Sequence, residues 1–247
     1  MAPPYADIEP ASWAKTLEEL RPGLANAKAL EHAAALVTRF LFEQFEAGTA
    51  LARVYAVVPH RDLEPSVTSF VDELAGKAGQ SSHVFATTPV LTLLGTHGAK
   101  AEWCDRRTSA GHRGIPLVSA EFVQAIPMVA RLLKELGVDL TWLDAAPEVN
   151  ARRLLGGFNG LFFVDDAATA RDSLGRLVIP AQDFVEENGV KTVFGMGGFY
   201  PDNTLITIIV FSRESLKRSH VERLTSLISL FKGETFGVVR ARKFFAR

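Results

Sequence analysis

The stretch Thr88–Leu117, TPVLTLLGTHGAKAEWCDRRTSAGHRGIPL, gathers more groups able to meet a ligand than any other part of this chain. It joins an apolar, strand-like run to His97, Cys104, His112, a set of basic side chains and a string of turn residues. Arg106, Arg107, Ser109, His112 and Arg113 fall within eight residues of one another. Guanidinium forks match the planar geometry of carboxylate and phosphate, and serine and imidazole add short-range hydrogen bonds. The segment is too rich in glycine for a plain helix. It reads as a loop that receives a small, anionic ligand, with Arg106, Arg107, Ser109 and His112 as contacts and Trp103 closing the pocket by stacking. The competing reading is a solvated charged loop whose arginines pair with Asp105 and Glu102.

Other chemistries fit less well. His97, Cys104 and His112 are a zinc-capable set, but their spacing is wide and irregular and a fourth ligand is missing, so no metal is expected. Cys104, beside Asp105 and Arg106, could act as a nucleophile with His97 or His112 as its base. A lone cysteine is more often a small core residue. There is no GxSxG elbow, HExxH pair or Walker-type phosphate loop. Gly195-Met-Gly-Gly198 follows a strand, yet a second strand comes next, so a tight hairpin explains it better than a dinucleotide site. Asp165 and Asp166 read as a turn cap, and Asp183, Glu186 and Glu187 as a solvated helix face. No catalytic residue and no cofactor is assigned.

The elements that must position this segment can be read from periodicity. Leu30, Ala33, Ala34, Val37, Phe40, Leu41 and Phe45 form one helical stripe, with Phe42 outside it and Gly48 beyond its end. Leu51–Val58 is a strand, Glu64–Ala78 a helix opened by Pro65, and Val90–Leu94 a buried-type strand. Phe122–Leu136 keeps helical spacing and ends at Gly137. Pro127 favours a helix starting near Ile126, because an interior proline costs about 3 kcal/mol. Leu161–Val164 and Thr192–Phe194 are short strands flanking a helical Ile179–Asn188. Thr204–Phe211 is the clearest strand, and Tyr200–Asn203 before it predicts an antiparallel hairpin. Val221, Leu224, Leu227, Ile228 and Phe231 mark a last helix with Gly233 as its stop.

At 247 residues, 47% hydrophobic and 22% charged, the chain can build a sizeable core. Residues 1–20 read as a flexible N-terminal arm, loosest over Met1–Pro10, and residues 21–247 as a single domain. The fold class is α+β, because the hairpin argues against an all-parallel sheet. A formal charge of −1 gives no global field toward nucleic acid or an anionic membrane. The basic end Arg240–Arg247 reads as a solvated helix end. One cysteine, no visible secretory signal and no long apolar segment make a cytoplasmic protein the expectation.

LTLLGTHG, WCDRRTSAGHRGIPL, IPMVARLLKELG, IPAQDFVEENGV and GMGGFYPDNTLITIIVFSR together resemble a divergent GAF-like sensory domain, of the kind on the input side of bacterial histidine kinases and nucleotide cyclases. The resemblance runs from about residue 30 to the end. It implies a central, mostly antiparallel sheet with helices from both termini packed on one face, a ligand cavity on the other, and a homodimer formed through the terminal helices. The function it implies is a non-catalytic sensory or regulatory domain that binds a small molecule and signals through a partner or a dimer interface. Two alternatives stand beside it: an interaction module whose cavity is filled with side chains, and a small cysteine-dependent enzyme using Cys104.

Overall fold

The structure, a computed structural model, describes residues 3–109, 111–144 and 159–246. Met1, Ala2, Ala110 and Arg247, which belong to segments discussed above, lie outside them. Six strands form one sheet: β1 (Thr49–Pro59), β2 (Pro89–Gly98), β3 (Gly114–Pro116), β4 (Asn159–Val164), β5 (Thr192–Phe199) and β6 (Leu205–Ser212). Their order is β3-β2-β1-β6-β5-β4, and every neighbouring pair is antiparallel. The β-branched run of β6 is buried along its whole length, as suits a strand covered on both faces. The expected β5–β6 hairpin is present, with Phe199 opposite Leu205 and Asn203 taking a φ of 66° in the turn.

The terminal helices share one face of the sheet. Helices α1 (Pro10–Ala25), α2 (Leu30–Gln44) and α8 (Ser226–Arg240) bury Leu17, Leu24, Val37, Leu41, Ile228 and Phe231 with the even-numbered side chains Ala52, Val54 and Ala56 of β1. Contact here is close. A Cβ on Gly95 of β2 would lie 2.5 Å from the Ala34 backbone, so only glycine lets α2 sit directly on the sheet.

The opposite face carries α4 (Ala120–Gln124), α5 (Pro127–Glu135) and α6 (Gln182–Glu187), packed on Leu51, Tyr55, Leu91, Ile209 and Phe211. The late start anticipated at Pro127 is what forms: α4 ends at Gln124, Ile126 is extended, and Pro127 opens α5. Gly137 closes that helix at a φ of 85°. Helix α3 (Pro65–Lys77) covers the β3 edge through Val67 and Val71. The short α7 (Arg218–Glu222) leads into α8.

Three expectations are corrected. Residues 1–20 are not a loose arm: Pro10 opens α1, which runs through the supposed boundary at residue 20, and Tyr5, Ile8 and Trp13 are buried. Tyr5 stacks on Phe45 at 4.0 Å and shares a 2.7 Å hydrogen bond with Thr49 Oγ1. Aromatic anchoring outweighs the disorder that the prolines suggest. Nor does the last helix stop at Gly233. It continues to Arg240 because Thr235 and Val239 extend the buried stripe, offsetting the roughly 1 kcal/mol each helical glycine costs. The basic end is not a solvated helix end either. It folds back, burying Phe244, and its Lys243 and Phe244 carbonyls accept the N–H groups of Leu30 and Glu31 at 2.8 and 2.9 Å. Two open donors at the start of α2 are thereby satisfied.

Candidate functional site

A cavity of about 390 Å³ lies on the face opposite the terminal helices. Strand alternation selects its floor: the odd-numbered Leu51, Arg53 and Tyr55 of β1 point into it, beside Leu91 of β2 and Ile209 and Phe211 of β6. Met128, Val129 and Leu132 of α5 form one wall. The β2–β3 loop forms the rim, contributing Trp103, Gly111 and His112. Trp103 meets Phe184 edge-on at 5.5 Å, Phe184 meets Phe211 at 5.3 Å, and Lys100 Nζ stands 4.9 Å over the indole. The lining is mostly hydrocarbon and aromatic.

One polar group of side chains interrupts it. Arg53 donates from Nη1 to Tyr55 OH at 3.3 Å and from Nη2 to Ser109 Oγ at 3.1 Å, and Tyr55 OH donates to the His112 carbonyl at 3.2 Å. The side chain of β1 thus ties down the rim loop. His112 is exposed at the rim, yet loss of hydration and the nearby Arg53 charge hold its imidazole pKa below the usual value.

The residues expected as contacts separate into two groups. Trp103 and His112 border the cavity, and Ser109 is buried one hydrogen bond away through Arg53. Arg106 and Arg107 turn to the other side of the loop. Arg106 is buried, donating from Nε to Glu31 Oε1 at 2.9 Å and from both terminal nitrogens to the Glu64 carboxylate at 2.8 Å, with the Phe245 ring 5.2 Å from its guanidinium. Arg107 donates to Glu31 Oε1 at 2.9 Å and stands 3.9 Å from Asp105. These donors are already engaged, which removes Arg106 from the set of ligand contacts and leaves Arg107, itself exposed, paired with the buried Glu31. Burial raises the Glu31 pKa, but the hydrogen bonds from Arg106 and Ala246 N–H and both arginine charges outweigh it and hold it low. The Arg106 fork does the same for Glu64.

Arg53 was missed by sequence reasoning. The signal was there: it is the sole charge in the apolar strand run LARVYAVV, placed so that it must point to one face of the sheet. Glu31 and Glu64 were also unread as arginine partners, because they lie 75 and 42 residues from Arg106.

Cys104 is exposed, with Sγ 3.9 Å from His97 Nε2 and its S–H directed at the carbonyls of Gly98 (3.5 Å) and Lys100 (3.6 Å). The structure therefore brings His97 to the thiol. Burial keeps His97 below the ordinary imidazole pKa, over the opposing charge of Glu43. Among the described residues no group of three or more His, Cys, Asp or Glu side chains could hold a metal ion.

No protein-family model matches the chain, and no curated protein matches it either. Solved structures do. Free methionine-R-sulfoxide reductase from Neisseria meningitidis, solved with its substrate, superposes with a TM-score of 0.51 at 11% identity, covering 98% of this chain and 99% of that one. The GAF domain of an Acinetobacter phosphoenolpyruvate-protein phosphotransferase gives 0.45 at 9% identity over 93% and 96% of the two chains. A phycocyanobilin-bound GAF domain from a cyanobacterial phytochrome gives 0.46 at 11% over 95% and 98%. At such identities the likeness concerns architecture alone. The chain has an α+β fold in common with the reductase.

Proposed function

We propose that this GAF-like chain is a non-catalytic sensory or regulatory domain that holds a small molecule in the cavity between its sheet and the β2–β3 loop. The observation that carries the reading is the cavity itself, about 390 Å³, mostly apolar and edged by a few convergent polar groups. A filled interaction module would have side chains in this space. Trp103 and His112 are the proposed contacts at the rim, with Ser109 supporting them through Arg53. Arg107 and Arg106 anchor the far side of the same loop to α2 and to the C-terminal segment, which makes the loop a link between ligand and terminal helices.

Signalling passes, in this proposal, through those helices to a partner or to a second copy of the chain. Half-buried Leu36 and Phe40 on α2 and Phe236 and Val238 on α8 supply the apolar surface for a homodimer. Sedimentation equilibrium checks this part: a monomer at all concentrations rejects it. No helix among the described residues is long and apolar enough to cross a membrane, and a cytoplasmic setting is part of the proposal.

Native mass spectrometry of purified protein, with an absorbance scan, tests the main claim. A ligand-sized mass increment lost on denaturation is expected. Ala181→Phe, which crowds the cavity mouth at an exposed position, should abolish it without lowering thermal stability. An increment that persists in Ala181→Phe places the ligand elsewhere and overturns the site. The cysteine-enzyme alternative has its own measurement: a Cys104 thiol unreactive toward a disulfide reagent at neutral pH removes it.

A further inference from the structure

We propose that the cavity takes an amphipathic anion, a small molecule with an apolar body and one carboxylate-class head group, and that Arg53 receives that head. The inference rests on the ligand-binding reading above and names the class of ligand.

Among the cavity's described lining residues Arg53 is the only permanently cationic side chain, and none is a carboxylate. Its two acceptors, Tyr55 OH and Ser109 Oγ, are neutral, and no ion pair involving Arg53 occurs among the described residues. Its Nε is shut off from solvent with no hydrogen-bond partner. An arginine stays charged at any ordinary pH, and a charge held against hydrocarbon without a counter-ion is costly. The contrast with Arg106 is informative, because that guanidinium, buried where Arg53 is half-buried, has two carboxylates. At Arg53 no described residue supplies the matching anion, and a ligand head group would.

The rim is shaped around this group. A Cβ on Gly111 would lie 2.9 Å from Arg53 Nη1 and 3.1 Å from Nη2, so the bare glycine backbone is what lets the guanidinium lie beneath the loop. Lost hydration and the Arg53 charge hold the His112 pKa below its ordinary value, which disfavours a second positive charge here. The balance is one cation facing a long apolar wall that includes Leu91, Leu132, Ile209 and Phe211. A multiply charged phosphate compound would lack partners for its remaining charges. A neutral hydrocarbon would leave the guanidinium unanswered.

Isothermal titration with matched pairs tests this: octanoate against octan-1-ol, and 1-naphthylacetate against 2-(1-naphthyl)ethanol. Within a pair only the head group changes. The acid of at least one pair should bind about tenfold or more tightly than its alcohol, as a charge-assisted hydrogen bond in a partly dry site implies. Arg53→Met should bring the acid down to the level of the alcohol measured in the same variant. If Arg53→Met does not fold, Gly111→Ala, which displaces the guanidinium from the other side, should erase the same preference. Equal binding of acid and alcohol, or a preference that survives both variants, overturns the anion assignment while the cavity reading stands. Failure of all four probes to bind rejects the two together.

Discussion

Arg106 holds together three parts of the chain that are far apart in sequence. It joins Glu31 at the start of α2, Glu64 at the start of α3, and the Phe245 ring of the C-terminal segment. Replacing it with methionine would leave two carboxylates with no guanidinium between them, and breaking a buried pair from one side costs about 3–5 kcal/mol. Arg106→Met is therefore expected to lower the unfolding free energy read from urea titration by an amount in that range, and to expose residues 241–246 to proteolysis. An unchanged midpoint would mean that solvent already screens the network. Trp103→Ala should behave in the opposite manner. Its indole is half-buried at the rim and packs on Phe184, so ligand affinity should fall while the urea midpoint moves little. A stability loss as large as that of Arg106→Met would make Trp103 a core residue and not a contact.

At the scale of elements, α8 and β2 make opposite demands on glycine. Gly233 and Gly237 lie inside α8, both exposed, and a Cβ at either would meet nothing within 4 Å. Gly233→Ala and Gly237→Ala should each stabilise the protein by roughly 1 kcal/mol, since alanine loses less backbone entropy in a helix. Gly95 in β2 is the reverse case, because its missing Cβ is where the Ala34 backbone lies. Gly95→Ala should cost about 1–3 kcal/mol by forcing α2 off the sheet. Thermal melts of the three variants, compared side by side, decide both statements, and an exchange of signs would refute this packing.

The molecule as a whole carries two acid-sensitive groups of residues. His97 and His112 have imidazoles held below their ordinary pKa in the folded state. Their contribution to stability is complete above the unfolded value, near pH 6.5, and falls away as pH drops through the lower folded values. Glu31 and Glu64 are also held low, so their contribution is complete above about pH 4.3 and is lost at lower pH still. Stability measured by urea titration should therefore decline in two stages on acidification. The double variant His97→Asn, His112→Asn should remove the upper stage and keep the lower. A single transition near pH 4 in the parent protein would exclude the histidine part.

Periodicity alone determined much of this protein: the strands at 51–58 and 204–211, the helix over 30–45, the late start at Pro127, the hairpin and the α+β class. Each depends on neighbours a few residues apart, and such spacing is visible in a single sequence. The strand β3 was too short to register, and the burial of Tyr5, Ile8, Trp13, Leu17 and Leu20 was hidden by prolines whose local message is disorder. The site divided along the same line. That Trp103, Ser109 and His112 lie near one another was legible because they crowd one loop. The direction in which Arg106 points was not, since Glu31 and Glu64 meet it only when α2 and α3 pack beside the loop. Composition showed a cluster of charges, but which of them are neutralised and which face a hollow is a property of distances, and only the tertiary fold sets those.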